Sequence, residues 1–94
     1  MRFDLGQLVA TPGALAALEA SGHTPDFFLA KHASGDWGEV SPGDAALNDA
    51  AVRDGGRLLS AYRTLKGTKL WVITEAVGDG GKRASTCILL PEEY

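Results

Sequence analysis

The chain has 94 residues, of which 45% are hydrophobic and 22% are charged, and its formal net charge at pH 7 is -3. These values are close to the averages of globular domains, so they indicate one folded domain over residues 1–94 and exclude a disordered chain. The basic residues form no run, which makes nucleic-acid binding an unfavoured function, because such proteins concentrate positive charge on one face. The single cysteine, Cys87, cannot form an internal disulfide and favours a reducing compartment. With no signal-peptide pattern and no apolar run of the ~20 residues that cross a bilayer, we expect a cytoplasmic protein without a membrane partner.

Three helices are predicted in the first half of the chain, because a Ser or Thr precedes a proline there three times. Thr11, Thr24 and Ser41 are suited to the N-cap position, and the prolines that follow them are suited to the first helical position. Glycines close the three runs at Gly22, at Gly35 and at Gly55 and Gly56, and Gly22 is suited to a left-handed C-cap. We therefore expect three short helices that begin at or beside the three capping residues.

The second half of the chain predicts three β-strands, over residues 57–65, 68–77 and 83–90. Lys66 and Gly67 predict a two-residue hairpin turn, and the glycine-rich residues 78–81 predict another turn. Because hairpins join antiparallel strands, the three strands should form an antiparallel meander. Residues 7–10 fit either a short additional strand or an extended approach to the first helix. The predicted fold class is α+β, with three short N-terminal helices packed on a C-terminal three-stranded meander.

Pairing of the first two strands across Lys66 and Gly67 predicts that both faces of the sheet are apolar. Tyr62 would lie opposite Trp71, and opposed residues share a face. Three short helices can cover one face, whereas the other needs Trp37 and the chain termini, or another molecule. We therefore expect a homodimer, or a complex with another protein, that forms through the sheet.

Trp37 lies between an acidic residue and a glycine in a predicted loop, where it either closes the edge of the core or anchors a partner. The candidate partner-binding residues are Asp36, Trp37, Leu58, Tyr62, Trp71 and Ile73.

Motifs for catalysis or for metal binding are not recognisable in the sequence. His23 and His32 lack the spacing of zinc ligands and are interpreted as surface histidines near helix ends. Cys87 lies within a strand, where cysteine behaves as a small hydrophobic residue. Residues 78–82 lack the GxxxxGK[ST] pattern of a phosphate-binding loop. We expect no catalytic residue, no cofactor and no metal; a hydrolase that uses Asp36 and a histidine is the least favoured alternative.

Five stretches of the sequence resemble a known group of proteins: residues 6–15 (GQLVATPGAL), 34–38 (SGDWG), 59–62 (LSAY), 70–75 (LWVITE) and 88–94 (ILLPEEY). Nearly the whole chain is similar to small bacterial proteins linked to plasmids and integrative elements, which are labelled plasmid-related proteins or type I restriction endonuclease M subunits. The resemblance implies a mobile genetic element as the setting, and it supplies no catalytic residues.

The leading hypothesis from the sequence is a non-enzymatic protein-interaction module, an accessory protein of a bacterial mobile element that acts in host-defence modulation or element maintenance. The alternative is a small nucleic-acid-associated regulatory protein, since several basic residues lie near the predicted turns: Arg57, Arg63, Lys66, Lys69, Lys82 and Arg83.

Overall fold

A computed structural model describes residues 1–94 and shows an α+β fold of three helices and one four-stranded sheet. The elements in chain order are β1 (Gln7–Ala10), α1 (Pro12–Ala20), α2 (Pro25–Ala33), α3 (Pro42–Asp54), β2 (Leu58–Arg63), β3 (Lys69–Thr74) and β4 (Ser85–Leu89). Two short 3₁₀ turns cover Asp79–Gly81 and Pro91–Glu93. None of the helices has the length and apolar character needed to cross a membrane.

The prediction of the three helix starts is confirmed, because Thr11, Thr24 and Ser41 are the N-caps of α1, α2 and α3. The hydroxyl of Thr11 accepts a hydrogen bond from the backbone N–H of Ala14 at 3.2 Å, and that of Ser41 accepts one from Asp44 at 3.1 Å. Thr24 makes no such bond. A side-chain hydrogen bond therefore caps the start of α1 and of α3, whereas α2 begins at a proline without such a bond.

The three C-terminal strands pair in antiparallel order as predicted, but the prediction that they form the whole sheet is wrong, because the sheet has four strands and is mixed. Its strand order is β1-β4-β3-β2, and β1 pairs with β4 in parallel while the other pairs are antiparallel. Gly6 allows β1 to enter beside β4: it has φ +66, and a Cβ there would lie 2.4 Å from the carbonyl oxygen of Arg83. Residues 7–10 are thus a strand, which places the N-terminal segment against the last strand of the chain.

The predicted register of β2 against β3 is also wrong, by one residue. Tyr62 lies opposite Leu70 rather than Trp71, because the hairpin loop has three residues, between Thr64 and Thr68. A two-residue turn at Lys66 and Gly67 would favour positive φ at Lys66, whereas only glycines adopt positive φ in this chain. In the observed loop Gly67 instead adopts φ +85, and its N–H donates a hydrogen bond to the carbonyl of Thr64.

All three helices contact the sheet, and the main core lies between helices and sheet. The corrected register brings to the helix-covered face a set of fully or almost fully buried residues: Leu58, Ser60, Tyr62, Leu70, Val72, Thr74, Thr86 and Ile88. On the opposite face the C-terminal residue covers part of the surface, since the Tyr94 ring contacts the Trp71 ring with centroids 5.8 Å apart.

Candidate functional site

The two edges of the sheet differ in how they are covered, and the β2 edge is closed by the chain itself. The side-chain amide of Asn48, on α3, donates to the carbonyl of Leu59 at 2.8 Å and accepts from its N–H at 3.1 Å. Next to it, Ala61 donates its N–H to the carbonyl of Trp37 at 3.1 Å and accepts from the N–H of Glu39 at 2.6 Å. Paired edge groups of this kind prevent another strand from adding to the sheet.

The β1 edge has no comparable cover. Gln7 and Thr11 direct their N–H groups to carbonyls of the β4 segment, at 3.0 Å in both cases. Because a strand alternates the direction of its backbone groups, the N–H and C=O groups of Leu8 and Ala10 point away from β4. Leu8 is 52% exposed. A short, unprotected strand edge is therefore available to a partner.

An apolar groove runs along this open edge, between β1 and α2. Its larger part is a cavity of about 350 Å³, lined by Met1, Leu5, Leu8, Asp26, Leu29, Ala30, Ala33 and Ser34. Its smaller part is a cavity of about 170 Å³, lined by Leu8, Val9, Ala10, Pro25, Asp26, Leu29 and Ile88. Leu8, Asp26 and Leu29 line both, so the two cavities are adjacent, and we call them together the β1 groove.

The N-terminal segment and α2 hold the β1 groove in place. The N–H of Arg2 donates to the carbonyl of Ala33 at 2.8 Å, which ties the start of the chain to the end of α2. The carbonyl of Leu5 accepts a hydrogen bond from the hydroxyl of Thr86 at 2.7 Å. Asp26 is exposed in the first turn of α2 and takes part in none of the ion pairs of the molecule, so the groove carries one unpaired negative charge.

A second feature is a chain of hydrogen bonds inside the core that is centred on His32. Its Nδ1 lies 2.6 Å from the hydroxyl of Ser60, and its Nε2 lies 2.8 Å from the hydroxyl of Thr74. Thr74 in turn lies 2.7 Å from the hydroxyl of Thr86, which donates to the carbonyl of Leu5. The four side chains have no measurable exposure. We call His32, Ser60, Thr74 and Thr86 the buried network.

The donor of each hydrogen bond in the buried network can be assigned by starting from the bond between Thr86 and Leu5, because the carbonyl oxygen of Leu5 can only accept. Thr86 uses its single hydroxyl proton on Leu5, so Thr74 must donate to Thr86. Thr74 then has no proton left, so His32 must donate to it from Nε2, and Ser60 must donate to the unprotonated Nδ1. The arrangement is therefore satisfied in full by neutral His32 protonated at Nε2.

The surroundings of His32 also favour its neutral form. Burial lowers the pKa of His32 from 6.5 to about 4, and the positive charge of Arg83 acts in the same direction. The rings of Phe3 and Trp37 pack on the imidazole with centroid distances of 5.2 and 5.7 Å. The interpretation of His32 as a surface histidine is thus wrong. Although a serine beside a histidine is the arrangement of a nucleophile and its base, no cavity reaches this pair, so a substrate has no access to it.

The structure separates the six candidate partner-binding residues into two groups. Trp37, Leu58 and Tyr62 are buried on the helix side, where Trp37 donates its indole N–H to Asp49 at 3.0 Å. Asp36 is exposed beside them; its backbone carbonyl accepts the phenol proton of Tyr62, and burial raises the pKa of that phenol to about 12. Trp71 and Ile73 lie on the opposite face, where Ile73 is buried and Trp71 is half-buried.

The basic residues near the turns lie in different surroundings: Arg63 is exposed opposite Lys69 in the β2–β3 pair, whereas Arg83 is buried. Arg83 is 7% exposed, and its guanidinium donates to the carbonyls of Gly56, Glu75 and Ala51 at 2.6, 3.0 and 3.0 Å. Arg63 is paired with Glu39 at 2.9 Å. Arg83 is therefore engaged within the fold and is not accessible to a nucleic acid, whereas Arg63 is paired at the surface and stays half exposed.

No cluster of three or more His, Cys, Asp or Glu side chains in the structure could hold a metal ion. Cys87 is half-buried in β4, and burial together with nearby carboxylates raises the pKa of its thiol, which disfavours the reactive thiolate. The comparisons add no identification, since no family model, no curated protein and no solved structure matches this chain.

Proposed function

We propose that this chain is a non-enzymatic protein-interaction module that binds its partner at the open β1 edge and the β1 groove. The observation that carries the proposal is the difference between the two edges of the sheet. Asn48 and the segment around Glu39 close the β2 edge, whereas the β1 edge presents Leu8 and Ala10 beside an apolar groove. An unprotected edge flanked by apolar surface is a hazard for an isolated protein and an advantage for one that binds a partner there.

The burial of Arg83 and of the buried network supports a binding function over catalysis. The buried network uses each of its hydroxyl protons within the core, and Arg83 uses its guanidinium on three carbonyls. These groups could otherwise serve acid–base or anion chemistry, and none of them is more than 7% exposed. What the open β1 edge and the β1 groove offer is mainly backbone and apolar area, which suits a protein partner.

The proposed setting is a bacterial mobile element, in which the module would act in host-defence modulation or element maintenance. This part of the proposal is supported by the sequence resemblance described above, which extends over residues 6–15, where β1 lies. The expected partner is another protein or a second copy of the chain.

Affinity capture from cells that carry the sequence tests the proposal, with the intact protein as bait and two matched variants. Leu8→Glu places a charge in the β1 groove at a residue that is 52% exposed, so the fold should tolerate it. Leu65→Glu makes the same change in the hairpin loop, at a residue that is 82% exposed, and serves as the control. We expect a protein that the wild type and Leu65→Glu retain and that Leu8→Glu loses.

Light scattering over a concentration series completes this experiment, because a second copy of the chain would not be recognised as a captured protein. Self-association that Leu8→Glu abolishes would also support a binding function at the β1 edge. The proposal is wrong if wild type neither captures a protein nor self-associates, or if Leu8→Glu behaves as wild type does in both measurements.

A further inference from the structure

We infer that the partner at the β1 edge is an extended segment of another protein, which adds to the sheet as a fifth strand with alternate apolar side chains in the β1 groove and a basic side chain beside Asp26. This inference rests on the proposed function and specifies its partner. Strand addition of this kind derives affinity from main-chain hydrogen bonds and specificity from pockets that accept every second side chain.

The backbone of β1 sets the length and the direction of the bound segment. Leu8 and Ala10 each offer one outward N–H and one outward C=O, so an antiparallel segment can form four hydrogen bonds with them. Beyond Ala10 the chain turns into α1 at Pro12, and Gly6 breaks the strand on the other side. The contact is therefore limited to about five residues of the partner, and antiparallel pairing is the slightly more stable choice per residue.

The two parts of the β1 groove match two side chains of such a segment. Leu8 and Ala10 pair with Thr86 and Ile88, so their side chains lie on the helix-covered face, and residues opposite them must point to the same face. The partner residue opposite Ala10 would enter the cavity of about 170 Å³, and the residue two positions later, opposite Leu8, would enter the cavity of about 350 Å³. The segment should thus carry a smaller apolar side chain followed, two positions later, by a larger one.

A second copy of the chain fits this site less well than such a segment. Twofold pairing of β1 with itself that uses all four outward hydrogen-bonding groups would set Ala10 of the second copy opposite Leu8, which places a methyl group at the larger cavity. The strand sequence QLVA also contains no cation that could pair with Asp26. Asp26 and Pro25 line the cavity at the Ala10 end, so a Lys or Arg two positions before the smaller apolar residue would reach this carboxylate.

A phage-displayed library of random heptapeptides, selected on the immobilised full chain, tests the inference. We expect enrichment of peptides with the order basic, smaller apolar and larger apolar at alternate positions. A labelled peptide of that pattern should bind with reduced affinity to Ala10→Pro, by about tenfold, because this variant removes one outward N–H and no bond to β4. Asp26→Asn should weaken the basic peptide and leave its Lys→Gln analogue unchanged.

Peptides themselves supply controls that do not alter the protein. N-methylation of the amides that face β1 should abolish binding, whereas N-methylation of the amides between them should leave it nearly intact. The inference is overturned if no such pattern is enriched, if both methylated peptides bind equally, or if Ala10→Pro binds as wild type does. Capture of a partner that Leu8→Glu loses, without any binding of extended peptides, would overturn this inference and leave the proposed function standing. Self-association through β1 would have the same effect.

Discussion

Mild acidification should destabilise this protein through His32. The unfolded chain protonates His32 at its ordinary pKa of 6.5, whereas the native state resists protonation down to about pH 4. Between these two values the unfolded state binds more protons, so the free energy of unfolding falls as the pH falls. The whole difference in pKa corresponds to about 3 kcal/mol, at about 1.4 kcal/mol per unit.

The structure explains why His32 resists protonation in the native state. A proton on Nδ1 would face the hydroxyl of Ser60, which now donates to that nitrogen and would have to turn its own proton elsewhere within the core. The positive charge would also lie close enough to Arg83 to be repelled by it. Because His32 has no exposed surface, water cannot compensate for either effect.

Urea unfolding measured at several pH values between 7.5 and 5 is the assay. Linkage with the two pKa values predicts a loss of about 2 kcal/mol over this interval from His32 alone. His32→Gln, which offers one donor and one acceptor but does not titrate, should be less stable than wild type and should lose much less stability over the same interval. A native-state NMR titration in which the His32 ring takes up its proton near pH 6.5 would refute the reasoning.

Two further predictions concern local structure. Ser41→Ala should cost about 1 kcal/mol in urea unfolding, whereas Thr24→Ala should cost clearly less, because only Ser41 accepts a capping hydrogen bond; equal losses would contradict this account of the caps. Gly38→Ala should cost at least about 2 kcal/mol, because its φ is +73 and a Cβ would lie 2.1 Å from the carbonyl of Ala61. Gly67→Ala should cost less, since it shares a positive φ but has no atom within 4 Å of a Cβ, and the reverse order would be inconsistent with the structure.

The helices could be predicted from the sequence because their signals are local. Each start is encoded by two adjacent residues, a capping side chain and a proline, and neither depends on the rest of the fold. For residues 7–10 the sequence leaves a strand and an extended approach to α1 as alternatives, because β1 has four residues and its partner β4 lies at the far end of the chain. Pairing over such a distance leaves no pattern in either segment alone.

The error in the register had a cause that sequence reasoning could have recognised. Gly67 stands second in the pair Lys66 and Gly67, whereas a two-residue turn places a residue with positive φ first as well. A three-residue loop with Gly67 last removes this conflict and moves every side chain of one strand to the other face. The candidate set drawn from the wrong register therefore mixed residues of two faces, such as Tyr62 and Trp71.

The candidate site could not be predicted from the sequence, for a different reason. Whether a strand edge is open depends on whether another part of the chain covers it. The β2 edge is covered in part by Asn48, a residue of α3 whose side-chain amide pairs with the backbone of Leu59. Nothing in the sequence around Asn48 indicates that pairing. Leu8 belongs to residues 7–10, which the sequence leaves open between a strand and an extended approach, and its position beside Leu29 follows from the tertiary fold.

The buried network connects the register of the sheet to the shape of the proposed site. A one-residue slip of the strands would replace its hydroxyls on the inner face with Leu59, Ile73 or Cys87, and His32 would lose partners for both ring nitrogens. Each unpaired buried group costs about 1–3 kcal/mol, so the network favours the observed register over the slipped one. Its last bond ends on the carbonyl of Leu5, whose side chain lines the larger cavity of the β1 groove. The buried network therefore also positions the segment around Leu5, which lines the larger cavity of the groove.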